Sequence, residues 1–392
     1  MKKLALIFFC LELSGCWLFK GSNPPKTSYF LIDDFTHKKA YLKDNSGKIL
    51  HSWRLDNFGK AWDDLELLPN KQLRVVDKNF AFYTLDEKSN ILSKAEGRYH
   101  HDYDENDKYF LFLLSEVTQV PEIIPNRDIK VDYIELWEKA GLPKDHEVYG
   151  KLVFKWHVKD NIKQLMQVNP KALGWMEKQM DRDVIDFGHG NSVQLLPESK
   201  NGDDIRFKKN NILINFFNTH STIIISPESG KVLWSMNSKF YNGRHTVNLL
   251  KNGNLLFFDN NVGTDKSRII EWDPVNNRAV FEYGNKFLQD FFSSGRGSVY
   301  PTQDDNYLMY VSFEGRLLEI DREGKVLWEY NHPQISNYRK HKKFRKKLEK
   351  QLANGMTLAE AIRNDQYLGD VVGHRVKPVP REVAEKFVKV SN

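Results

Sequence analysis

Cysteine is nearly absent: this chain of 392 residues has two, Cys10 and Cys16, both in its first sixteen positions. That excludes a disulfide framework for the body of the protein, so a large core must supply the stability. The N-terminal apolar run from Leu4 to Leu11 is too short to cross a bilayer. A broad basic surface is missing too. Formal charge is +6, but Arg339 to Lys350 holds eight basic residues and one Glu, a net +7, and the remainder sums to about −1. An extended nucleic-acid footprint is therefore excluded. The short-spaced His and carboxylate pairs of common metal motifs are also lacking.

What the N-terminus does hold is Lys2-Lys3, an apolar stretch and Leu13-Ser14-Gly15-Cys16. This predicts a signal peptide over residues 1–15 and resembles a bacterial lipobox, with Cys16 lipidated and residues 16–27 as a tether containing Gly21, Ser22, Pro24 and Pro25. The alternative is an ordinary signal peptide with a chance cysteine. Trp17 follows Cys16 where an inner-membrane retention signal would place an acidic residue. The expectation is an exported, lipid-anchored protein of the outer membrane.

The chain then repeats itself. Gly47, Gly150, Gly230 and Gly324 each begin a Gly-Lys turn that leads into a strand carrying a Trp: Trp53, Trp156, Trp234 and Trp328. Weaker copies begin at Asn90 and Asn277, so the six starts are separated by 43, 60, 80, 47 and 47 residues. A period near 45, with two long insertions, fits one four-stranded propeller blade per repeat. Asn252-Gly253 lies between Val247-Leu249 and Leu255-Phe258 and reads as a hairpin turn. The prediction is an all-β, six-bladed propeller over 28–335, closed by pairing of the chain ends.

The insertions have their own character. Ile162, Leu165, Met166, Leu173, Met176 and Met180 recur near helical spacing, broken by Pro170, and predict one or two short helices within 159–182. Residues 117–147 read as a loop over the same region. Ser336 to Asn364 reads as helix, with Thr357 as an N-cap, and Val371 to Val390 as a closing segment. The basic run Arg339–Lys350 is either a solvated helix face or a contact for anionic lipid headgroups.

Three blades open their inner strand with histidine: Tyr99-His100-His101-Asp102, Phe187-Gly188-His189-Gly190-Asn191-Ser192 and Gly243-Arg244-His245-Thr246. Inner strands line a propeller's central channel, so these positions converge on the axis. A lone histidine is more often a structural hydrogen-bonder than a catalyst; equivalent placement in three blades points to a shared site. Three imidazoles can bind a metal, bind an anion when protonated, or act as nucleophile and charge stabilisers.

The stretches from Tyr29 to Trp53, His100-His101-Asp102, Asp186 to Val193, Arg244 to Asn260, Ser267 to Pro274 and Gly324 to Tyr330 resemble the bacterial arylsulfotransferase family over roughly residues 28–335. The resemblance implies transfer of a sulfuryl group from a phenolic sulfate ester to a phenolic acceptor, with no cofactor and through a sulfohistidine. On the matching positions His245 would be the nucleophile, with His101 and His189 as stabilisers. Arg244, Asn191, His100 and Arg296 are the candidate substrate-binding residues. One departure stands out. The family's arginine falls near Phe217, and no Arg or Lys occurs from Asn210 to Gly230. Arg244, Arg296 and Arg206 are the candidates to replace it. The rival from another class is a non-catalytic propeller scaffold of the outer membrane, which has no need of histidines at its blade mouths.

Overall fold

The computed structural model describes residues 28–34, 39–56, 62–139, 150–168, 180, 183–236, 241–262, 264, 266–284, 289–335, 342–356, 361, 373 and 375–388. Cys16, the signal peptide, the tether, Thr357 and Leu173 lie outside these residues. Six antiparallel sheets are arranged in a ring, five of four strands and one of four with a short fifth attached. Their innermost strands touch in a closed circuit: Trp62–Leu67, Tyr99–Glu105, Gly190–Leu195, Arg244–Leu249, Ser298–Pro301 and Val376–Val379. The protein is a six-bladed β-propeller.

The repeated Gly-Lys turn is the connection from the third to the fourth, outermost strand of a blade. Gly47, Gly150, Gly230 and Gly324 have φ of 86°, 89°, 71° and 82°, a backbone region that costs glycine nothing. In two of the four copies the Trp that follows donates a hydrogen bond to the next blade. Trp53 Nε1 donates to the carbonyl of Asp86 at 3.1 Å, and Trp156 Nε1 to that of Gly230 at 3.2 Å. The sequence repeat therefore records an inter-blade tie as well as a turn. Trp156→Phe keeps most of the apolar burial and loses that bond. Stability should fall by about 1 kcal/mol, read as a small decrease in Tm in a thermal melt followed by circular dichroism.

Closure joins the two ends of the chain. Val376–Val379 pairs antiparallel with Tyr29–Asp34, Tyr29 opposite Val379 and Ile32 opposite Val376. The C-terminal segment thus supplies the inner strand of the first blade, and the propeller runs to Val379 rather than ending near residue 335. Phe30, Ile32 and Val376 pack with Leu308, Tyr310, Leu317 and Trp328 of the sixth blade, the contact that ring closure requires.

Two insertions differ from or refine the sequence reading. Residues 117–138 are not a loop. They form the outer half of a long hairpin in which Tyr109–Gln119 pairs with Asp128–Glu138 along its whole length. Alternation of apolar and polar residues from Ile129 to Leu136 was the signal for it. Ile162–Val168 is a helix whose buried Ile162 and Leu165 pack on the blades beneath. Lys342–Ala353 is a second helix, with Lys343, Lys346, Lys347 and Lys350 exposed. Among the described residues no helix is long and apolar enough to cross a membrane.

Every inner strand starts on one face of the ring, the face where the histidines sit.

Candidate active site

Neighbouring inner strands are stitched by a repeated hydrogen bond. The amides of Val193, Val247, Val299 and Val376 donate to Asp102 Oδ2, Ser192 Oγ, Thr246 Oγ1 and Ser298 Oγ, at 2.9–3.2 Å. Aligned on this ladder, His101 and His245 occupy the same place, one residue before the acceptor. Asn191 holds that place in the blade between them, and His189 comes two residues earlier. Equivalence by sequence is thus corrected for one of the three histidines. His189 still reaches the site, because the strand is bulged between Gly190 and Ser192 and His189 itself has φ of 52°. Bulges re-aim side chains in this way. His101, with φ of 59°, sits in a similar break.

The structure brings the three imidazoles into one row with Phe217. His101 Nε2 and His189 Nε2 are 3.2 Å apart. Ring centroids run from His101 to His189 at 4.9 Å, His189 to Phe217 at 5.9 Å, and Phe217 to His245 at 4.9 Å. Phe217, where the family arginine was expected, therefore stands inside the row. Gly243 makes room for it: a Cβ there would lie 2.8 Å from the Phe217 ring.

Each imidazole has a different group behind it. His245 Nδ1 is 2.6 Å from Asn260 Oδ1. The Asn260 amide nitrogen donates to the carbonyls of Ser293 and Arg296, both at 2.8 Å. With the nitrogen committed to two acceptors, Asn260 can only present its oxygen to the ring. Nδ1 of His245 must carry the proton, and Nε2 keeps its lone pair. Burial pushes the His245 pKa down to about 3, and the charges of His189, Arg375 and Arg296 act in the same direction, against the Asn260 hydrogen bond. The ring is neutral at physiological pH.

His189 is backed by a carboxylate. Its Nδ1 is 2.6 Å from Asp186 Oδ2, and Lys130 lies 3.5 Å from the same oxygen. Burial alone would raise the Asp186 pKa; the charge and hydrogen bond of His189, helped by Lys130, outweigh it and hold the carboxyl well below the usual range. Asp63 stands behind His101, accepting its backbone N–H at 2.9 Å with Nδ1 at 3.7 Å. The two Nε2 atoms thus lie within hydrogen-bond reach of each other, and each ring has a carboxylate behind it.

The expected substrate-binding residues divide. His100 turns away from His101 and is buried, with Nε2 3.2 Å from Asp132 Oδ1; burial lowers its pKa although Asp132 opposes this. It lies beneath the site, a correction to its expected role. Asn191 is wholly buried and spans Arg244 O and Asn215 Nδ2 at 2.8 and 2.7 Å. Arg244 is fully buried as well; its guanidinium donates to Thr222 Oγ1, Tyr241 O and His220 O, so it ties blades together rather than lining the channel. Arg206 pairs with Asp204 in the turn at the opposite face. Arg296 is half-buried at the mouth, two residues before its inner strand.

Sequence reasoning missed Arg375. It precedes the closing strand and is buried, with Nη1 2.5 Å from Asp102 and 3.7 Å from Asp64, and Nη2 bonded to the carbonyl of Asn191. Beyond this plug, on the opposite face, opens a cavity of about 1070 Å³ lined by Tyr103, Asp104, Tyr300 and Lys377 among others. Among the described residues, no three His, Cys, Asp or Glu side chains converge in a geometry that would hold a metal.

In shape the chain is similar to a protein of unknown function from Bacteroides caccae (14% identity, 79% of this chain and 96% of that one, TM-score 0.47). It is also similar to a streptogramin B lyase (12%, 80% and 86%, 0.42) and to the Dos1 propeller (10%, 78% and 73%, 0.41). No curated protein matches in sequence. The arylsulfotransferase (ASST) sequence profile, however, matches residues 99–333, from the first histidine-bearing inner strand to the end of the sixth blade. With that match over more than half its length, the chain belongs to the arylsulfotransferase family.

Proposed function

We propose that this protein transfers a sulfuryl group from a phenolic sulfate ester to a phenol, with His245 as the covalent carrier. The observation that supports it is the contrast in what backs each imidazole. A carboxamide behind His245 leaves a neutral ring with a bare Nε2, the form a nucleophile needs. Carboxylates behind His189 and His101 favour a proton held between them, the form that stabilises an oxyanion.

In the first step the Nε2 lone pair attacks sulfur. The N–S bond forms, the S–O bond to the aryl group breaks, and the phenolate leaves with that electron pair. The His101/His189 pair gives it the shared proton. The sulfo-imidazolium keeps its Nδ1 proton on Asn260. In the second step an acceptor phenol returns a proton to the pair and its oxygen attacks sulfur, which frees His245.

Incubation with 4-nitrophenyl sulfate in the absence of acceptor tests this. One sulfuryl group should appear on the peptide containing His245 and be released by acid; a broad panel of donors that never yields it would sink the proposal. His101→Ala and His189→Ala should each slow turnover by ~10² to 10³-fold, the scale of losing one oxyanion donor. The outer-membrane, lipid-anchored location rests on the sequence around Cys16 alone and is part of the same proposal.

A further inference from the structure

The channel has a second end. Past Arg375 the cavity of about 1070 Å³ opens on the face away from the histidines, a volume that accommodates a small organic molecule. Its floor gathers four carboxylates, Asp64, Glu66, Asp102 and Asp104, around two cations, Arg375 and Lys377. Arg375 pairs with Asp102 at 2.5 Å; Lys377 pairs with Asp64 at 2.7 Å and lies 3.7 Å from Glu66. Among the described residues no cation pairs with Asp104, and the Tyr300 hydroxyl in the same lining has no hydrogen-bond partner. We propose that this cavity binds a small organic ammonium ion, with the charged nitrogen on Asp104.

The charge on Asp104 is surplus to its structural role. Its Oδ2 accepts the amide of Leu195 at 2.7 Å and its Oδ1 that of Glu105 at 2.9 Å, so it is a rung of the ladder between inner strands. One blade on, the uncharged Gln194 fills the corresponding place and accepts the amide of Leu249, also at 2.7 Å. A neutral acceptor is therefore enough for the rung. A carboxylate there adds negative charge to a floor that already holds more acids than bases. Burial pushes the Asp104 pKa up to about 8, and the charges of Glu66 and Asp102 act in the same direction, against the two backbone hydrogen bonds. At the rim, Arg322 is paired with Asp305 at 2.5 Å and Arg381 with Asp304 at 3.1 Å, while Lys251 is exposed. An anion would meet unbalanced acids at the floor; an ammonium ion supplies the charge that is missing. Tyr103 and Tyr300 line the cavity as well, and aromatic rings favour a cation and an apolar body alike. Because no three His, Cys, Asp or Glu side chains converge in a metal-holding geometry among the described residues, the cation assigned here is organic.

Benzylamine, benzyl alcohol and benzoate present one ring with three different charges. Calorimetry at about pH 8.5, above the Asp104 value, compares their binding to the full chain. Benzyl alcohol should bind roughly 10- to 100-fold more weakly than benzylamine, the loss of a hydrogen bond between charged groups, and benzoate more weakly still. Asp104→Asn keeps an acceptor for the rung and should bring benzylamine down to the level of the alcohol. Glu66→Gln leaves the rung intact and removes one charge from the same floor. It should weaken benzylamine with benzyl alcohol unchanged, and it carries the test if a thermal melt shows Asp104→Asn unfolded. His245→Ala should bind benzylamine as wild type does, because its site is at the other end of the channel. Equal binding of amine and alcohol, no binding of the amine, or an affinity untouched by both carboxylate variants overturns the proposal. So does loss of binding in His245→Ala, which would put the amine in the histidine row, and so does displacement by equimolar calcium, which would give the floor to a metal ion.

Discussion

Replacing His245 with alanine should abolish sulfuryl transfer, while His101→Ala and His189→Ala leave a slow enzyme. The asymmetry follows from the chemistry. Without His245 no covalent intermediate forms, and the remaining groups can only bind and polarise the ester. Kinetics with wild type should be ping-pong, and the variant should show neither burst nor trapped sulfuryl group. The pH profile carries a second signature. His245 is held neutral down to about pH 3 by burial, far below its ordinary value of 6.5. The acid limb of kcat/KM should therefore lie well below 6.5. Stability carries the opposite cost. The unfolded chain protonates His245 near 6.5 and the folded one only near 3, so acidification through that window favours unfolding. His245→Ala should remove that part of the acid sensitivity. A variant that keeps wild-type turnover would assign the covalent role elsewhere.

Arg375→Met should cost about 3–5 kcal/mol, the scale for stripping one partner from a buried ion pair. The residue closes the ring in two senses. Its strand completes the first blade, and its guanidinium neutralises Asp102 and Asp64, two carboxylates buried in the channel floor. Lys377 still reaches Asp64 at 2.7 Å, so Asp102 bears most of the loss. The effect should shrink in acid. Burial raises the folded pKa of Asp64 to about 6 from 3.8, against the pull of Lys377 and Arg375. Removing Arg375 raises it further, and a folded state that binds the proton more tightly gains stability as pH falls through that range. The deficit measured by urea denaturation should therefore be smaller at pH 5 than at pH 8. An equal deficit at both would mean that packing, not charge, accounts for the role of Arg375. Removing residues 373–392 goes further: it strips the inner strand as well as both cations. Such a chain should not fold, since the summed loss approaches the whole stability of a typical domain.

Much of this protein is set by local pattern. Four Gly-Lys turns with their tryptophans, and the weaker copies at Asn90 and Asn277, mark six outer strands, because positive φ and strand periodicity are properties of a few adjacent residues. Asn252-Gly253 fixes the hairpin that carries His245, with Gly253 at φ of 85°. His101, His189 and His245 were legible because the repeat shows where each inner strand begins. Their partners were not. Asn260 meets His245 across a strand pair, and Arg375 meets Asp102 from the other end of the chain. No spacing in the sequence records such contacts; ring closure creates them. Tertiary structure also withdrew Arg244, His100 and Asn191 from the channel surface, since alternation along a bulged strand cannot be counted from its first residue. The sequence by itself determined the number of blades and the imidazoles at their mouths, through a turn-and-strand pattern repeated along the chain. Which imidazole is held neutral and which groups back the others depend on burial and on partners from other blades, and those exist only when the ring is closed.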